Sequence, residues 1–284
     1  MIKLKSITPL IFGSPVTHPK VSVIVVTYKL GDRLTDCLDA LIKQDYQNFE
    51  IILINNGEIN IDIVKKYNIR YVDLGRNYGC SYARNVGASV AKAPILAFLD
   101  DDAIPERRWV SAIRQSLESK NIVGVRGKVV PQHTNLFNLL PRHYNLGNSI
   151  KQSYIDFEGS CGFKRKEYLA VGGFNPKIAY GEGIDLTYRL SKFTNAITIY
   201  DPSIVVAHDY ADSLRHYIKK CFRNGKNNKK QEKMHKDFLG FMDKYKTRID
   251  TGKLNIVLRI LRFPLYIIGE IASKLGACLV LVEN

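Results

Sequence analysis

The sequence predicts an α/β protein whose central sheet is mainly parallel and is covered by helices on both faces. Three observations support this fold class. Short apolar runs rich in β-branched residues alternate with helical patterns over the first 210 residues. Hydrophobic residues make up 45% of the 284 residues and charged residues 24%, as in proteins with an ordinary core. No apolar run reaches the ~18 residues typical of a transmembrane helix.

The first predicted strands are continuous apolar runs, which are typical of parallel strands buried on both faces. In chain order they are Val21 to Thr27, Phe49 to Ile54, Arg70 to Leu74 and Ile95 to Leu99. A helix is predicted from Asp32, because apolar residues recur at helical spacing after it. A second helix, rich in small residues, is expected over Ser81 to Ala91.

Beyond Trp109 the pattern is looser. Further strands are predicted for Val123 to Val130, Glu158 to Phe163, Ala196 to Tyr200 and Ile204 to Ala207. Gln132 to Gln152 is expected to be a loop, and a helix is expected over Gly183 to Lys192. The chain is thus expected to have an N-terminal extension, an α/β domain and a helical C-terminal region. These parts are residues 1–20, 21–210 and 211–284.

The net charge of +15 is concentrated near the C-terminus, since residues 211–250 hold 12 basic and five acidic residues. Such a patch favours an anionic partner, such as phospholipid headgroups, a diphosphate-bearing substrate or nucleic acid. A solvated helical face is the alternative. No nucleic-acid-binding motif accompanies the charge, so nucleic acid is not an expected partner.

Polar residues follow three of the predicted strands, at the edge where parallel sheets bind ligands. They are Thr27 and Tyr28, Asn55 and Asn56, and Asp100 to Asp102. Adjacent carboxylates repel one another unless a cation or hydrogen-bond donors lie beside them. Their oxygens suit Mg²⁺ or Mn²⁺. A charged turn in which Asp102 caps the next helix is the alternative.

Four further residues are candidates for chemistry. His208 follows an apolar run and is either a late metal ligand or a structural histidine. Glu182 and Asp185 lie near a predicted helix start, where a carboxylate could take a proton from a hydroxyl, or has only a structural role. Arg84 either reaches a phosphate or base, or forms a surface ion pair. Because no glycine-rich phosphate motif is present, a bound diphosphate would depend on metal and side chains.

Taken in order, these motifs resemble the inverting glycosyltransferases of family 2, which have the GT-A fold. The resemblance runs from about Val21 to Lys226. The matching segments are VSVIVVTYK, IILINNG, GRNYGCSYARNVGASVAKAPILAFLDDDAIP, EGSCGFKRKEYLAVGGFNP, GEGIDLTYRL and AHDYADSLRHYIKKCFRNGK. Each segment alone is a weak signal, but the ordered set is specific.

The resemblance implies metal-dependent transfer of a sugar, from a nucleoside-diphosphate sugar to a hydroxyl of a glycan or lipid-linked acceptor. The implied cofactor is Mn²⁺ or Mg²⁺. The implied donor-binding residues are Thr27, Tyr28, Asn55, Asn56, Arg84, Asp100 and Asp101, and the implied metal ligands are Asp102 and His208. Residues 21–105 would form the donor half of the domain and residues 106–210 the acceptor half.

The catalytic base is where the sequence departs from the family pattern. Relatives usually have an aspartate after the glutamate of the GEGIDL segment, and here that position is Gly183. The base is then expected to be Glu182, with Asp185 as the second choice, or to be missing. If it is missing, the chain is a catalytically silent relative that binds nucleotide sugars.

The C-terminal region ends in an apolar segment whose polar residues trace one helical stripe. They are Asn255, Arg259, Arg262, Tyr266, Glu270 and Lys274. A basic stretch followed by such a helix, kinked at Pro264, predicts peripheral contact with an anionic membrane through residues 211–282. Packing on the domain or on a partner subunit is the alternative. Five widely spaced cysteines favour a reducing compartment, so a cytoplasmic location at the membrane surface is expected.

Overall fold

The computed structural model describes residues 8–29, 32–58, 61–138, 140, 144–245 and 256–282. The strands in these residues are β1 (Leu10–Phe12), β2 (Val21–Lys29), β3 (Phe49–Glu58), β4 (Ile69–Asp73), β5 (Ile95–Asp100), β6 (Ile104–Pro105), β7 (Ile122–Val130), β8 (Lys151–Gln152), β9 (Ser160–Lys164) and β10 (Ile197–Ala207). The α-helices are α1 (Asp32–Ile42), α2 (Cys80–Val90), α3 (Trp109–Glu118), α4 (Arg165–Ala170), α5 (Glu182–Phe193), α6 (Leu214–Met234), α7 (Phe238–Lys244) and α8 (Ile256–Val282).

The strands form one mixed sheet in the order β1-β4-β3-β2-β5-β9-β7-β10-β6, with β8 paired to β10. The four neighbouring strands β4, β3, β2 and β5 run parallel to one another, as predicted. β9 is antiparallel to both of its neighbours and joins this parallel half to the parallel pair β7 and β10. Strand β1 lies in the predicted N-terminal extension and pairs antiparallel with β4, so the described part of that segment adds an edge to the sheet.

Helices cover the sheet on both faces, which explains why the central strands are apolar throughout. Leu38 of α1 and Trp109 of α3 belong to one core. Val86 of α2 and Leu186 of α5 belong to the core on the opposite face. Both layers therefore rest on the same strands, and the carboxyl ends of β2, β3 and β5 open at one edge between them.

Several element boundaries differ from the prediction. The two short strands expected between residues 196 and 207 are one strand, β10, whose register with β7 shifts between Tyr200 and Val205. Strand β9 begins at Ser160, so that Glu158 precedes the strand and does not lie in it. Helix α3 was expected only in the alternative that Asp102 caps it, but it begins at Trp109 with Arg108 at its N-cap, and Trp109, Val110 and Ile113 lie on its buried side.

Helix α8 packs on α6 and continues through Pro264. The hydroxyl of Tyr217 donates a hydrogen bond to the carbonyl of Leu265 at 3.1 Å. Among residues 264–280 of α8, whose burial is described, the buried ones are mostly small: Gly269, Ala272, Gly276 and Val280. Small side chains allow close approach of two helices, so one face of α8 is a packing surface. Asn255, the first residue of the predicted polar stripe, lies outside the described residues.

A second apolar face of α8 is exposed. Its residues recur every four positions, as Ile267, Ile271, Leu275 and Leu279. Among the described residues no helix combines the length and hydropathy needed to cross a bilayer.

Candidate active site

Two carboxylates and one imidazole converge at the edge where β5 and β10 end. They belong to Asp100, Asp102 and His208, whose ligand atoms all lie within 4.8 Å of one another. Nε2 of His208 is 3.4 Å from Oδ1 of Asp102. His208 lies more than 100 positions after the two aspartates in the sequence, and the antiparallel pairing of β6 with β10 brings it to them.

Gln132 fixes the turn that carries Asp102. Its side-chain amide donates to the carbonyl of Asp102 at 2.7 Å and to that of Ala207 at 3.0 Å. Ala207 directly precedes His208, so a single amide ties the aspartate turn to the strand end that presents the imidazole. The backbone N–H of His208 donates to Val130 at 2.8 Å.

The chemistry of this donor set fits a divalent cation. Carboxylate oxygens and an imidazole nitrogen are ligands that Mn²⁺ accepts, and the carboxylates also suit Mg²⁺. Nδ1 of His208 is buried without a hydrogen-bond partner in the described part of the chain. Burial raises the pKa of Asp102, but the hydrogen bond and charge of His208 and the charge of Arg33 outweigh it, so the pKa lies below its ordinary value. Asp102 is therefore held as the anion that a cation requires.

Asp101 forms a side-chain hydrogen bond with Thr27. Burial raises the pKa of Asp101 to about 6, although a hydrogen bond from Thr27 opposes the shift. Thr27 itself is 1% exposed, whereas the neighbouring Tyr28 is 51% exposed. Of these two predicted donor-binding residues, Tyr28 offers an open ring at the sheet edge, and Thr27 holds the aspartate turn.

Asn55 and Asn56 are both buried and use their side chains within the protein. Nδ2 of Asn55 donates to Asp73 at 3.1 Å. Nδ2 of Asn56 donates to Asn77 at 3.2 Å, and its Oδ1 accepts from the N–H of Tyr78 at 2.9 Å. The two asparagines therefore shape the loop after β4, so that Asp73 and Asn77 join the predicted donor side.

Arg84 is buried and bridges two carboxylates. Its Nη2 is 2.7 Å from Oδ1 of Asp100, and its Nη1 is 2.9 Å from Oε1 of Glu182. The guanidinium also lies over the ring of Phe174, 5.6 Å from its centre. Of the alternatives that the sequence left open, the structure shows an ion pair, but a buried one that orients Asp100 and links it to helix α5.

The two carboxylates proposed as bases from the sequence are both enclosed. Glu182 is 4% exposed and Asp185 is fully buried. Asp185 accepts from the guanidinium of Arg189 at 2.6 and 2.8 Å and lies 2.7 Å from Nε2 of His235. Burial and the nearby carboxylate of Glu158 raise the pKa of Glu182, against the charge of Arg84.

A third carboxylate lies at the same helix start. Oε1 of Glu158 accepts a hydrogen bond from the N–H of Gly183 at 2.7 Å. Glu158 is partly exposed. The sequence does not single out Glu158, because this residue falls inside a predicted strand. An acidic residue in a strand is ordinarily interpreted as lying at the edge of a sheet. The sequence signal was the glycine that follows it, which marks the end of a loop.

The turn at Gly172 and Gly173 is fixed to the site by Asn85. Oδ1 of Asn85 accepts from the N–H of Phe174 at 2.9 Å and from the hydroxyl of Tyr168 at 2.6 Å. Asn85 follows Arg84 directly, so the ion-pair network and the turn are held by neighbouring residues of helix α2.

Lys220 is a second residue that sequence reasoning did not single out. Its ammonium group donates to the carbonyl of Tyr210 and lies 4.7 Å from the centre of that ring. Burial lowers the pKa of Lys220, while the negative charges of Asp100 and Asp102 oppose that shift. Helix α6 therefore places one partly buried cation close enough to Asp100 and Asp102 to interact with their charges.

Solved structures of two glycosyltransferases share this fold. A mannosyltransferase from Pyrobaculum calidifontis in complex with GDP-Man and Mn²⁺ aligns over 99% of this chain and 78% of its own, with a TM-score of 0.61 and 18% identity. The structure of GalNAc-T7 with UDP, GalNAc and Mn²⁺ aligns over 81% of this chain and 58% of its own, with a TM-score of 0.58 and 15% identity. At these identities the likeness shows the GT-A fold.

Three curated relatives with similar sequences are glycosyltransferases. Glycosyltransferase AglE of Haloferax volcanii is 25% identical over 224 residues, which cover 74% of this chain and 73% of that protein. Glycosyltransferase GlyG of Streptococcus pneumoniae is 32% identical over 108 residues, 36% of each chain. The glucosyl-dolichyl phosphate glucuronosyltransferase of H. volcanii is 24% identical over 55% of this chain and 56% of its own. The alignments thus span about a third to three quarters of these relatives.

The sequence model of glycosyl transferase family 2 matches residues 22–172, more than half of the chain. The matched segment contains β2 to β5, the aspartate turn, Arg84 and Glu158. With the fold and the convergent carboxylates, this match shows that the chain belongs to glycosyl transferase family 2.

Proposed function

We propose that this protein is a metal-dependent inverting glycosyltransferase, which moves a sugar from a nucleoside-diphosphate sugar to a hydroxyl of a glycan or lipid-linked acceptor. The observation that carries the proposal is the convergence of Asp100, Asp102 and His208 at the carboxyl edge of the sheet. These residues would hold the cation, and Tyr28 and the loop after β4 would face the nucleoside.

The site has the charges that the reaction needs. A bound divalent cation supplies positive charge that stabilises a departing diphosphate. Lys220 adds a protein cation near the same carboxylates, and Arg84 keeps Asp100 in one orientation. Displacement in a single in-line step inverts the anomeric carbon, so one carboxylate that takes the acceptor proton suffices and no covalent intermediate is needed.

A turnover screen tests the proposal. The full chain is incubated with Mn²⁺ or Mg²⁺ and with each of UDP-glucose, UDP-GalNAc and GDP-mannose, and release of the nucleoside diphosphate is measured with and without EDTA. We expect metal-dependent release from at least one donor, and a higher melting temperature with the matching nucleotide because a ligand of the native state stabilises it. If no donor gives either release of the nucleoside diphosphate or a shift in melting temperature, the proposal is contradicted.

A second function, that of a catalytically silent nucleotide-sugar-binding protein, is favoured by Gly183 and by the enclosure of Glu182 and Asp185. The same screen separates the two functions. A silent relative would show the metal-dependent shift in melting temperature and no release of nucleoside diphosphate above the rate without protein.

We also propose that the protein acts at an anionic membrane surface through residues 211–282. The support is the pairing of a basic segment with an exposed apolar face on α8, in which Ile271 and Leu275 are 54% and 59% exposed. A helix that presents an apolar face beside cationic side chains binds at the lipid interface without crossing it. A surface location would give the enzyme access to a lipid-linked acceptor.

A further inference from the structure

Inverting transfer needs a carboxylate that reaches the acceptor and is not already a metal ligand. Three carboxylates meet at the start of helix α5: Glu158, Glu182 and Asp185. They differ in exposure, since Glu182 is 4% exposed and Asp185 is fully buried, whereas Glu158 is partly exposed. Only a carboxylate that an acceptor can approach is able to take its proton directly.

The partners of these carboxylates differ in the same way. Glu182 is paired with Arg84, and Asp185 is bound by Arg189 and His235. Transfer of a proton to either would break a buried ion pair, which is costly because a charge would lose its partner. Glu158 instead accepts the neutral N–H of Gly183. That hydrogen bond orients the carboxylate and can persist when one of its oxygens is protonated.

Gly183 makes room for this carboxylate. A Cβ atom at position 183 would lie 2.8 Å from Oε1 of Glu158 and 2.6 Å from the carbonyl oxygen of Ile155. No ordinary side chain fits there, so the Glu158 carboxylate fills the place that a side chain at the helix start would take. The absence of a side chain at position 183 is therefore part of the arrangement that positions Glu158.

The backbone next to Glu158 borders the metal site. A Cβ atom at Gly159 would lie 2.1 Å from Oδ2 of Asp100, and the N–H of Asp100 donates to the carbonyl of Gly159 at 3.1 Å. Glu158 thus directly precedes Gly159, whose backbone contacts the candidate metal ligand Asp100. Its carboxylate contacts the start of α5 through Gly183, while the backbone of Gly159 contacts Asp100.

We propose that Glu158 is the catalytic base of the transfer reaction and that Glu182 is a positioning residue that holds Arg84. This inference rests on the proposed function. As the acceptor oxygen bonds to the anomeric carbon, its proton passes to a carboxylate oxygen of Glu158. The bond from that carbon to the diphosphate breaks, and its electron pair leaves with the nucleoside diphosphate. Protonated Glu158 then releases the proton to solvent.

The basicity of the group agrees with this role. Burial raises the pKa of Glu158, against the charge of Arg84. A carboxylate whose pKa is above its usual range is a stronger base than an ordinary surface glutamate.

The alternative is that Glu158 only stabilises the start of α5 through Gly183. E158Q separates the two roles, because its amide oxygen can still accept the N–H of Gly183 but cannot take a proton. The experiment measures nucleoside-diphosphate release from UDP-glucose and GDP-mannose with Mn²⁺ and water as the acceptor. The variants are E158Q, E158A and E182Q, with E167Q on α4 as the matched control. Melting temperature and the affinity for UDP and GDP are measured for each protein.

We expect E158Q to lose about 10²–10⁴-fold in turnover, the usual effect of removing a positioned base. Its melting temperature and nucleotide affinity should match those of the wild type, and E167Q should behave as the wild type in every measurement. Added formate should restore part of the turnover of E158A, because a small carboxylate can occupy the vacated space and accept the proton. Formate should not affect E158Q.

Each other result has a distinct meaning. If the wild type releases nucleoside diphosphate and E158Q releases it at the same rate, the assignment of Glu158 is overturned. The proposed function is not affected by that result. E158Q could lose turnover together with a lower melting temperature, while formate does not rescue E158A. That result would assign Glu158 a structural role only, and it would also overturn the assignment of Glu158 as the base. If the wild type releases no nucleoside diphosphate from either donor or any other in the screen, the proposed function fails and this inference fails with it.

Discussion

Arg84 and Glu182 form a buried ion pair, in which Nη1 lies 2.9 Å from Oε1, although 98 residues separate them in the sequence. The same guanidinium pairs with Asp100. One arginine thus connects the end of strand β5, which carries the candidate metal ligands, with the start of helix α5, where the candidate bases lie. Disruption of this link should affect both stability and the site.

Arg84→Met should lower the free energy of unfolding by about 3–5 kcal/mol, because removal of one partner leaves buried carboxylates without their counter-charge. Lys65→Met is the matched control. It breaks an exposed pair with Asp62, whose side chains are 54% and 68% exposed, and such pairs contribute less than about 1 kcal/mol. Urea denaturation followed by circular dichroism measures both. Equal effects would show that the Arg84 pair is no stronger than a surface pair.

Asp102→Asn should abolish Mn²⁺-dependent binding of UDP or GDP while the protein stays folded, since the amide is a poorer ligand and carries no charge. Isothermal titration with and without Mn²⁺ measures this directly. Asp36→Asn, an exposed carboxylate on α1, is the control and should bind as the wild type does. Retention of Mn²⁺-dependent nucleotide affinity in Asp102→Asn would contradict the ligand assignment.

Lys220→Met should weaken binding of UDP or GDP about tenfold or more, because a charge-assisted contact to an anion contributes roughly 1.5–3 kcal/mol. Lys219→Met removes the same charge from an exposed neighbour on α6 and should have a much smaller effect. If the two variants lose equal affinity for UDP or GDP, the basic helix acts through its overall positive potential, and Lys220 makes no specific contact with the nucleotide. The comparison is made in the presence of Mn²⁺ at one fixed ionic strength, because salt screens such interactions.

Gly173→Ala should destabilise the protein more than Gly172→Ala does. Both glycines have positive φ, 68° and 84°, so both substitutions carry a backbone cost of roughly 1–2 kcal/mol. A Cβ atom at Gly173 would also lie 2.4 Å from Oδ1 of Asn85, whereas one at Gly172 would meet open space. The extra loss, about 1–3 kcal/mol from the close contact, measures the steric constraint that Asn85 imposes on the turn.

The double substitution Ile271→Glu and Leu275→Glu should reduce sedimentation with anionic liposomes, because it places two acids on the exposed apolar face of α8. Substitution is preferable to truncation, since removal of α8 would uncover the surface of α6 against which it packs. Lys166→Glu at an exposed position of α4 is the control, because it changes the net charge by the same two units away from α8. Wild-type protein that stays in solution and forms a dimer lost in the double variant would identify this face as a subunit interface.

The central fold could be predicted because its signals are local. Apolar runs such as Val21 to Thr27 and helical spacing after Asp32 are fixed by neighbouring residues, and each predicts an element without knowledge of the rest. Helix α3 shows where this fails. Its buried side begins at Trp109, directly after two arginines, so the polar flank obscures the pattern.

The candidate site could be predicted only in part. Asp102 and His208 were singled out because each follows an apolar run, and their proximity was then supplied by the resemblance. No feature of the sequence predicts the hydrogen bonds that Asn55 and Asn56 make within the protein. The sequence around an asparagine at a strand end does not show whether its side chain faces a ligand or a neighbouring loop. For the same reason the sequence does not single out Asp73 and Asn77, the hydrogen-bond partners of these two asparagines.

The sequence alone determined the class of fold, the family resemblance and the carboxylate turn after β5, because these depend on residue types at short spacing. Tertiary structure alone decided what each charge does. Glu158, Glu182 and Asp185 are all acids near one helix start, and no local pattern tells them apart. Burial, a partner arginine and the room left by a glycine are set by segments distant in the chain, and these contacts distinguish a partly exposed glutamate from two acids that are locked in ion pairs.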